Sequence, residues 1–325
     1  MAEITGLAAV NQALEEELAR DPDVFITGID VGKKGSVFGT TLGLYDKFGA
    51  DRIIDTPIAE NGILGVAIGA AAQGLRPVAD LMFMDFIGVC FDQIMNQMGK
   101  MRYMFGGKIT LPLTVIATAG AGVGNAAQHS QSLEALLCHI PGLKVVMPGS
   151  PADLKGLLKS SIREDNPVIF IQHKRLLRMK GEVPEGEYTV PIGKARVVRE
   201  GKDLTIVATA YMVQEALAAA DRLAERGIEA EVIDPRTLVP LDIETIVESV
   251  KKTHKVVVIH EAVRFCGIGA EIASQITEQA FDYLDGPPVR IGGPSSPVPY
   301  SPALEKLWVP NADQIIERAG ALVGV

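Results

Sequence analysis

Short apolar runs alternate with longer amphipathic or alanine-rich segments along the first half of the chain. Apolar runs bounded by turn residues predict buried strands, and the segments between them predict helices. This alternation predicts an α/β fold with a parallel sheet covered on both faces. The predicted strands are Val24–Ile29, Val78–Phe83, Leu113–Thr118, Val145–Val146 and Val168–Gln172. The predicted helices are Gly6–Arg20, Asn61–Gly74, Phe86–Arg102, Gln131–Cys138 and Pro151–Glu164.

The alternation stops at Leu176–Gly193, where apolar periodicity is weak, and this stretch predicts a linker or long loop. It then resumes, which predicts a second, smaller α/β domain. We therefore predict two domains, residues 1–185 and 186–325. The tail Pro294–Pro302 holds four prolines in nine residues and predicts neither helix nor central strand. The second-domain strands are Leu204–Ala208, Ala230–Asp234 and Lys255–His260, and its helices are Val213–Arg226, Ile243–Thr253 and Gly269–Ala280.

Composition and charge narrow the class of protein. With 325 residues, 47% of them apolar, the chain can bury large cores, which excludes a disordered protein. The 31 basic and 40 acidic residues give a net charge of −9, which disfavours binding to nucleic acid. The long uncharged stretches are too rich in glycine, alanine and polar residues for a membrane span, and the beginning lacks a signal-peptide pattern. Three widely spaced cysteines fit neither a disulfide framework nor a zinc site. A soluble cytoplasmic protein is expected.

Glu60 stands directly before the uncharged helix predicted at Asn61–Gly74. Partial desolvation there would favour the protonated carboxyl, which suits general acid–base chemistry. The other interpretation is a carboxylate stabilised by the positive end of the helix, which lowers its pKa. The residues alone favour this second, structural interpretation.

His129 follows a glycine-rich loop and precedes a predicted helix. Loops at the carboxyl ends of parallel strands are where α/β proteins bind ligands, and an imidazole there could transfer protons near neutral pH. A polar capping residue is an equally good interpretation of the histidine alone.

Two further features have weaker signals. Gly122, Gly124 and Ala127 satisfy the dinucleotide pattern GxGxxA, but the loop lies deep in the domain and no acidic residue ends a strand about 20 positions later. A flavin or nicotinamide oxidoreductase is the alternative that rests on this loop. In the cluster Leu81–Phe86, Phe86 could stack on a flat heterocycle, although core packing is the simpler interpretation.

Several short motifs occur in order along nearly the whole chain. In the first half they are Asp55–Glu60, Gly74–Pro77, Met82–Phe86 and Ala127–Gln131. Together they resemble the β subunits of thiamine-diphosphate-dependent 2-oxo acid dehydrogenases. In the second half, Asp234–Leu238, Pro240–Asp242 and Pro297–Ser301 resemble the transketolase C-terminal domain and the tail of the same family. The resemblance implies a transketolase-like pyrimidine-binding domain followed by a transketolase C-terminal-type domain.

Within that family, three segments resemble acetoin dehydrogenase β subunits most: Asp85–Gly88, Arg102–Lys108 and Met179–Gly186. The resemblance implies cleavage of acetoin or decarboxylation of a 2-oxo acid, followed by acyl transfer to a lipoyl acyltransferase. Pyruvate and branched-chain 2-oxo acid dehydrogenases are the alternatives within the family. The non-enzymatic alternative is a catalytically inactive scaffold subunit of the same fold.

The sequence contains neither Gly-Asp-Gly nor Asn-Asn, the motif pair with which the family binds the cofactor diphosphate and Mg²⁺. The resemblance therefore implies that an α subunit supplies that half of the site, in an α₂β₂ heterotetramer. This chain would supply the pyrimidine side. Glu60 would hydrogen-bond the aminopyrimidine ring, Phe86 would stack on it beside Met82, and His129 would assist proton or acyl transfer.

Some members of the family also bind K⁺ through backbone oxygens. The resemblance places that site on residues Leu113, Ser161, Ile162, Glu164 and Asn166. Backbone ligands leave little signal in a sequence, and Glu164 is equally compatible with a solvated loop.

Overall fold

The computed structural model describes residues 1–324, which form two compact units. The first comprises residues 1–119, 136–146 and 150–192, and the second comprises residues 120–135, 147–149 and 193 onward. The second unit thus includes the glycine-rich segment after the predicted strand Leu113–Thr118. Across residues 1–324, no helix is both long and apolar enough to cross a membrane.

The first unit is built on six parallel strands in the order β6-β7-β5-β4-β2-β3. The central strands β4, β5 and β7 are buried along almost their whole length, as expected for a sheet with both faces covered. The predicted α/β class with a parallel sheet is confirmed. The strands are β1 Ala2–Thr5, β2 Val24–Gly28, β3 Ile53–Asp55, β4 Arg76–Phe83, β5 Thr114–Ala119, β6 Lys144–Val146, β7 Val168–His173 and β8 Lys180–Val183.

Of the five helices predicted up to residue 180, three agree within two residues at each end and two differ, and the short helices Leu44–Phe48 and Lys174–Arg178 were not predicted. The predicted helix Phe86–Arg102 is wrong as a single element, because a 3₁₀ helix, a π-helical segment and α4 follow one another. A close approach explains the last break: a Cβ on Gly99 would lie 2.9 Å from Cγ2 of Ile140. The helix predicted from Gln131 begins only at Glu134. The α-helices are α1 Gly6–Arg20, α2 Leu44–Phe48, α3 Glu60–Ala72, α4 Met101–Met104, α5 Glu134–Cys138, α6 Pro151–Arg163 and α7 Lys174–Arg178. The 3₁₀ helix spans Met84–Cys90 and the π-helical segment Gln93–Met98.

The stretch Leu176–Gly193, predicted as a linker or long loop, is largely ordered. It contains the end of α7 and the strand β8, which pairs antiparallel with β1 at the beginning of the chain. The register joins Ala2 to Val183 and Thr5 to Lys180. This pairing connects residues almost the whole length of the unit apart, which is why local periodicity gave no sign of it.

A partly buried ionic network joins α1 to α6. Lys155, Lys159 and Arg163 lie four residues apart on one face of α6, opposite Glu16 and Glu17 of α1. The side chain of Lys159 is fully buried, and its Nζ lies 2.6 Å from carboxylate oxygens of both Glu16 and Glu187. Glu187 belongs to the predicted linker and also lies 2.6 Å from Arg163. The network therefore fixes this segment against the two helices.

The second unit has a five-stranded sheet in the order β14-β13-β10-β11-β9, with only β9 antiparallel to its neighbour. The predicted strands and helices of this domain are all present. The strands are β9 Arg196–Arg199, β10 Leu204–Ala208, β11 Ala230–Asp234, β12 Thr237–Val239, β13 Val256–Val263 and β14 Val289–Gly293. The helices are α8 Met212–Ala224, α9 Ile243–Thr253, α10 Ile268–Ala280, α11 Pro302–Trp308 and α12 Ala312–Val323, with a 3₁₀ turn at Phe281–Tyr283.

The proline-rich tail runs between β14 and α11 without regular structure, as predicted, until Pro302 opens α11. The indole N–H of Trp308 donates a hydrogen bond to the carbonyl oxygen of Ser296 at 3.0 Å. A Cβ on Gly293 would meet the Trp308 ring at 2.8 Å, so the two pack closely. The short helix α11 is thus anchored to the end of β14.

We expect Lys159→Ala to lower the free energy of unfolding by roughly 2 kcal/mol, because a buried cation shared by two carboxylates is lost. The loss stays moderate since Glu16 keeps Lys155 and Glu187 keeps Arg163. Denaturant unfolding of this variant and of a control variant, each compared with the parent chain, measures the loss of stability. The matched control is Lys251→Ala, which removes an exposed pair with Glu248 and a cation–π contact with Tyr283 and should cost clearly less than Lys159→Ala. Equal losses in the two variants would contradict a stabilising role for the ionic network.

Candidate active site

Glu60 is the first residue of α3, and its side chain is buried, with 6% of the residue exposed. The preceding residue, Ala59, offers no side-chain acceptor to cap the helix. No group in residues 1–324 donates a hydrogen bond to the Glu60 carboxylate. A carboxylate with free oxygens can accept a hydrogen bond from a bound molecule.

Cys90 lies close enough to Glu60 to respond to its charge. Helix α3 packs against the 3₁₀ helix that ends at Cys90. Burial, together with the negative charge of Glu60, raises the pKa of the Cys90 thiol to about 12. The thiol therefore stays protonated and unreactive beside the carboxylate.

Met82 and Phe86 are held by different means at the end of β4. Met82 has a left-handed backbone, with φ of 60°, and its N–H donates a hydrogen bond to Oδ1 of Asp80 at 2.8 Å. Phe86 meets the Phe83 ring edge to face, with ring centroids 5.7 Å apart. Phe83 in turn meets Phe38 at 5.1 Å. The aromatic rings therefore form a fixed cluster next to the turn at Met82.

Asp80 is a supporting residue that sequence reasoning missed. It is 2% exposed in the middle of the apolar strand β4, and burial raises its pKa to about 6, while the Met82 N–H opposes that rise. An acidic residue inside an apolar strand is costly unless it is hydrogen-bonded. An acidic residue within an apolar strand was therefore the sequence signal that could have revealed Asp80. Its carboxylate holds the backbone at Met82.

His129 lies in the second unit on an irregular segment, half-buried, and no helix begins until Glu134. The three residues Glu60, Met82 and Phe86 belong to the first unit. Ser130 beside His129 is buried, and no group in the described chain hydrogen-bonds its hydroxyl.

In the glycine-rich loop before His129, three backbone N–H groups already donate hydrogen bonds to carboxylates of the chain. The N–H of Ala121 donates to Oε1 of Glu261 at 2.5 Å, and the N–H groups of Gly122 and Gly124 donate to Glu305 at 2.8 and 3.0 Å. A dinucleotide phosphate would have to displace two buried carboxylates from these donors. This geometry argues against the flavin or nicotinamide alternative.

The residues predicted to bind K⁺ lie at the end of α6, in the turn after it, and just before β5. The Arg76 guanidinium donates to the carbonyl oxygens of Ile162 and Glu164 at 3.2 and 3.3 Å. The carbonyl oxygen of Leu113 accepts from the N–H of Val168 at 2.9 Å. A carbonyl oxygen has a second lone pair, so K⁺ binding stays a prediction. Residues 1–324 contain no group of three or more His, Cys, Asp and Glu side chains placed to hold a metal.

Comparisons with known proteins place the chain in a family. Residues 2–180 match the transketolase pyrimidine-binding domain, and residues 193–315 match the transketolase C-terminal domain. The β subunit of acetoin:2,6-dichlorophenolindophenol oxidoreductase from Cupriavidus necator is 51% identical over 96% of this chain and 95% of its own length. The chain belongs to the β-subunit family of acetoin and 2-oxo acid dehydrogenases.

Two further relatives support this membership. The β subunit of the pyruvate dehydrogenase E1 component from Bacillus subtilis is 45% identical over 98% of both chains. A solved structure described as a split-gene transketolase, an inactive beta4 tetramer, superposes with a TM-score of 0.81 at 27% identity and covers 99% of both chains. The predicted family and the predicted order of its two domain types are confirmed.

Glu134 is an unusual acidic residue in this family member's second unit. It is fully buried, and neither carboxyl oxygen has a hydrogen-bond partner in the described chain. Burial, with the charge of Glu261 adding to it, raises the pKa of Glu134 to about 7. The carboxyl is therefore largely protonated below neutral pH.

This pKa predicts a pH-dependent stability. At pH values between the ordinary pKa of 4.5 and the folded-state pKa of about 7, Glu134 takes up a proton when the chain folds. The folded protein therefore loses stability progressively as the pH rises through this range. Glu134→Gln, which keeps the neutral shape, should become more stable than the parent chain by up to roughly 3 kcal/mol by pH 8. Thermal midpoints of both proteins from pH 4.5 to 8 measure the gap. A gap that does not change with pH would show that Glu134 is ionised in the folded protein.

Proposed function

We propose that this chain is the β subunit of a thiamine-diphosphate-dependent dehydrogenase component that cleaves acetoin or decarboxylates a 2-oxo acid. The acyl group then passes to a lipoyl acyltransferase partner. Family membership supports the proposal, and the carboxylate of Glu60 carries it. That carboxylate is buried at a helix beginning with no partner in residues 1–324, as a group that binds a cofactor should be.

The residue types of Glu60, Met82 and Phe86 fit the aminopyrimidine ring of thiamine diphosphate. The ring needs an acceptor for a hydrogen bond and apolar surfaces for its faces, and Glu60, Met82 and Phe86 are of these kinds. When bound, the cofactor stabilises negative charge on the carbonyl carbon of the substrate. Glu60 would accept a hydrogen bond from the ring nitrogen and so favour the form of the ring that is protonated there. Phe86 and Met82 would orient the ring. The hydrogen bond from Met82 N–H to Asp80 and the ring contact of Phe86 with Phe83 keep the two residues in place.

His129 provides an imidazole that can donate or accept a proton near neutral pH. We assign it the proton transfers of the substrate or the transfer of the acyl group to the lipoyl arm. The chain lacks Gly-Asp-Gly and Asn-Asn, so an α subunit holds the diphosphate and Mg²⁺, in an α₂β₂ heterotetramer. K⁺ bound near Ile162 and Glu164 belongs to the same proposal.

The choice of acetoin rests on a small difference. The acetoin-linked relative from Cupriavidus necator is 51% identical, and the pyruvate-linked relative from Bacillus subtilis is 45% identical. Pyruvate and branched-chain 2-oxo acids are therefore the substrates to test beside acetoin. The split-gene transketolase β chain is described as inactive as a beta4 tetramer, which supports a need for the partner chain here.

Glu60→Gln should leave the fold intact and reduce turnover by about 100-fold or more, because an amide replaces the carboxylate on the cofactor ring. Dye- or lipoamide-linked turnover of the co-expressed α and β chains, with thiamine diphosphate and Mg²⁺, measures this on each substrate. The control is Glu231→Gln, a carboxylate of similar burial that pairs with Lys252 in the second unit. Full turnover in Glu60→Gln would disprove the assigned mechanism, and no turnover in the parent complex on any substrate would disprove the substrate class.

His129→Ala should reduce lipoamide-linked turnover by about 10- to 100-fold, because a positioned proton donor is lost. The dissociation constant for thiamine diphosphate should stay unchanged, because the cofactor ring is bound by residues of the first unit. Fluorescence titration with the cofactor and lipoamide-linked turnover give the two numbers. Unchanged turnover would remove His129 from the site.

A further inference from the structure

We propose that Glu305 and Glu261 are positioning residues that hold the glycine-rich segment leading to His129, with Glu305 the main one. This inference rests on the function proposed for His129. Neither carboxylate belongs to the motifs that carried the family resemblance, and neither is placed against cofactor or substrate. Their role is to fix the backbone from which His129 is presented.

The hydrogen bonds are unusually concentrated. Glu305 accepts from two backbone N–H groups, those of Gly122 and Gly124, at 2.8 and 3.0 Å, and Glu261 accepts from Ala121 at 2.5 Å. Both glutamates are 4% exposed. Hydrogen bonds from N–H groups to a carboxylate are stronger than those between neutral groups, and removing the carboxylate leaves the N–H groups without their acceptor.

The backbone of the segment explains why it needs carboxylates. Gly120, Gly122, Gly124 and Ala126 all have positive φ, with values of 103°, 88°, 74° and 57°. Alternating left-handed residues turn successive N–H groups toward one side, which forms a concave anion-binding surface. Ala126 is costly in this conformation because it has a Cβ. The segment keeps this shape because the anions that match it are part of the chain.

Packing holds the segment at Ala121, which is buried in the core of the second unit, but leaves open space farther along it. A cavity of about 450 Å³ separates one side of it, at Ala127 and residues 131–133, from the tail at residues 295–298 and Trp308. The segment can therefore shift toward this cavity if its hydrogen bonds are removed. The carboxylates prevent that shift.

The two glutamates are themselves rigidly placed. Glu261 stands on the long central strand β13, and Glu305 on α11. Trp308, three residues after Glu305, is buried and anchors α11 through its bond to Ser296. His129 follows Gly124 after four residues without helix or strand, so its position depends on how Gly122 and Gly124 are held. The carboxyl-terminal tail thereby sets the geometry of a residue far away in sequence.

The test is a double-mutant cycle in the co-expressed complex of α and β chains. The variants are Glu305→Ala, His129→Ala and the double variant, with Glu305→Gln as the conservative replacement and Glu134→Gln as a buried control in the same region. Lipoamide-linked kcat and KM, the dissociation constant for thiamine diphosphate, and hydrogen exchange of the peptide covering residues 119–128 are measured for each.

Glu305→Ala should lower kcat by about 10- to 100-fold, as expected for a misplaced reacting group, without weakening cofactor binding. It should also raise hydrogen exchange at residues 119–128. The double variant should be no slower than His129→Ala, because Glu305 acts only through His129. Glu305→Gln keeps an acceptor oxygen and should recover part of the loss, and Glu134→Gln should turn over normally.

Losses that multiply in the double variant, or full turnover in Glu305→Ala while His129→Ala is impaired, would overturn the positioning role. Unchanged exchange at residues 119–128 in Glu305→Ala would overturn it as well. If His129→Ala itself turns over like the parent complex, the function proposed for His129 has failed first, and the role of Glu305 fails with it. The two failures are therefore distinguishable.

Discussion

One kind of interaction fixes irregular backbone in each unit: a buried carboxylate accepts a hydrogen bond from the N–H of a left-handed residue. Asp80 does this for Met82 near the end of β4, and Asp234 does it for Arg236 after β11 at 2.9 Å, each two residues on and each at a residue with positive φ. Glu305 does it over a long sequence distance for Gly122 and Gly124. Chains that leave the carboxyl end of a buried parallel strand must turn where water cannot satisfy their N–H groups. An ionised carboxylate satisfies them more strongly than a neutral acceptor, so these turns are well defined.

Much of the fold could be predicted because its elements are decided locally. Helices α1 and α9 and strands β10 and β11 have the predicted ends, since their apolar periodicity is strong and their boundaries coincide with capping or turn residues. The prediction of a linker at Leu176–Gly193 was wrong in part because the structure of this segment depends on residues far away in the sequence. Its strand β8 is stabilised by pairing with β1, and its charged residue Glu187 by Lys159 and Arg163 of α6. Neither partner is near in sequence, so composition alone described this segment as a loop.

The candidate site residues fall into the same two groups, those that the local sequence indicates and those that it does not. Glu60, Met82, Phe86 and His129 could be singled out because their residue types stand in recognisable motifs at the ends of predicted elements. Asp80, Glu261 and Glu305 could not be singled out, because they accept hydrogen bonds from backbone N–H groups. Almost every residue has such a group, so the sequence does not show which one is bound. The bond between Glu305 and Gly122 joins residues 183 positions apart. The weak dinucleotide pattern in Gly120–Ala127 is explained by the same bond, since glycines that admit a phosphate also admit a carboxylate of the chain itself.

The buried carboxylates of this chain meet the cost of burial in different ways. Asp80, Glu261 and Glu305 are buried and each accepts backbone hydrogen bonds from the chain itself, so folding alone accounts for them. Glu134 is buried without a hydrogen-bond partner and avoids the cost by staying protonated below about pH 7. Glu60 lies at a helix beginning, buried, with no hydrogen-bond donor in residues 1–324. Its free acceptor oxygens are compatible with the cofactor-binding role proposed for it.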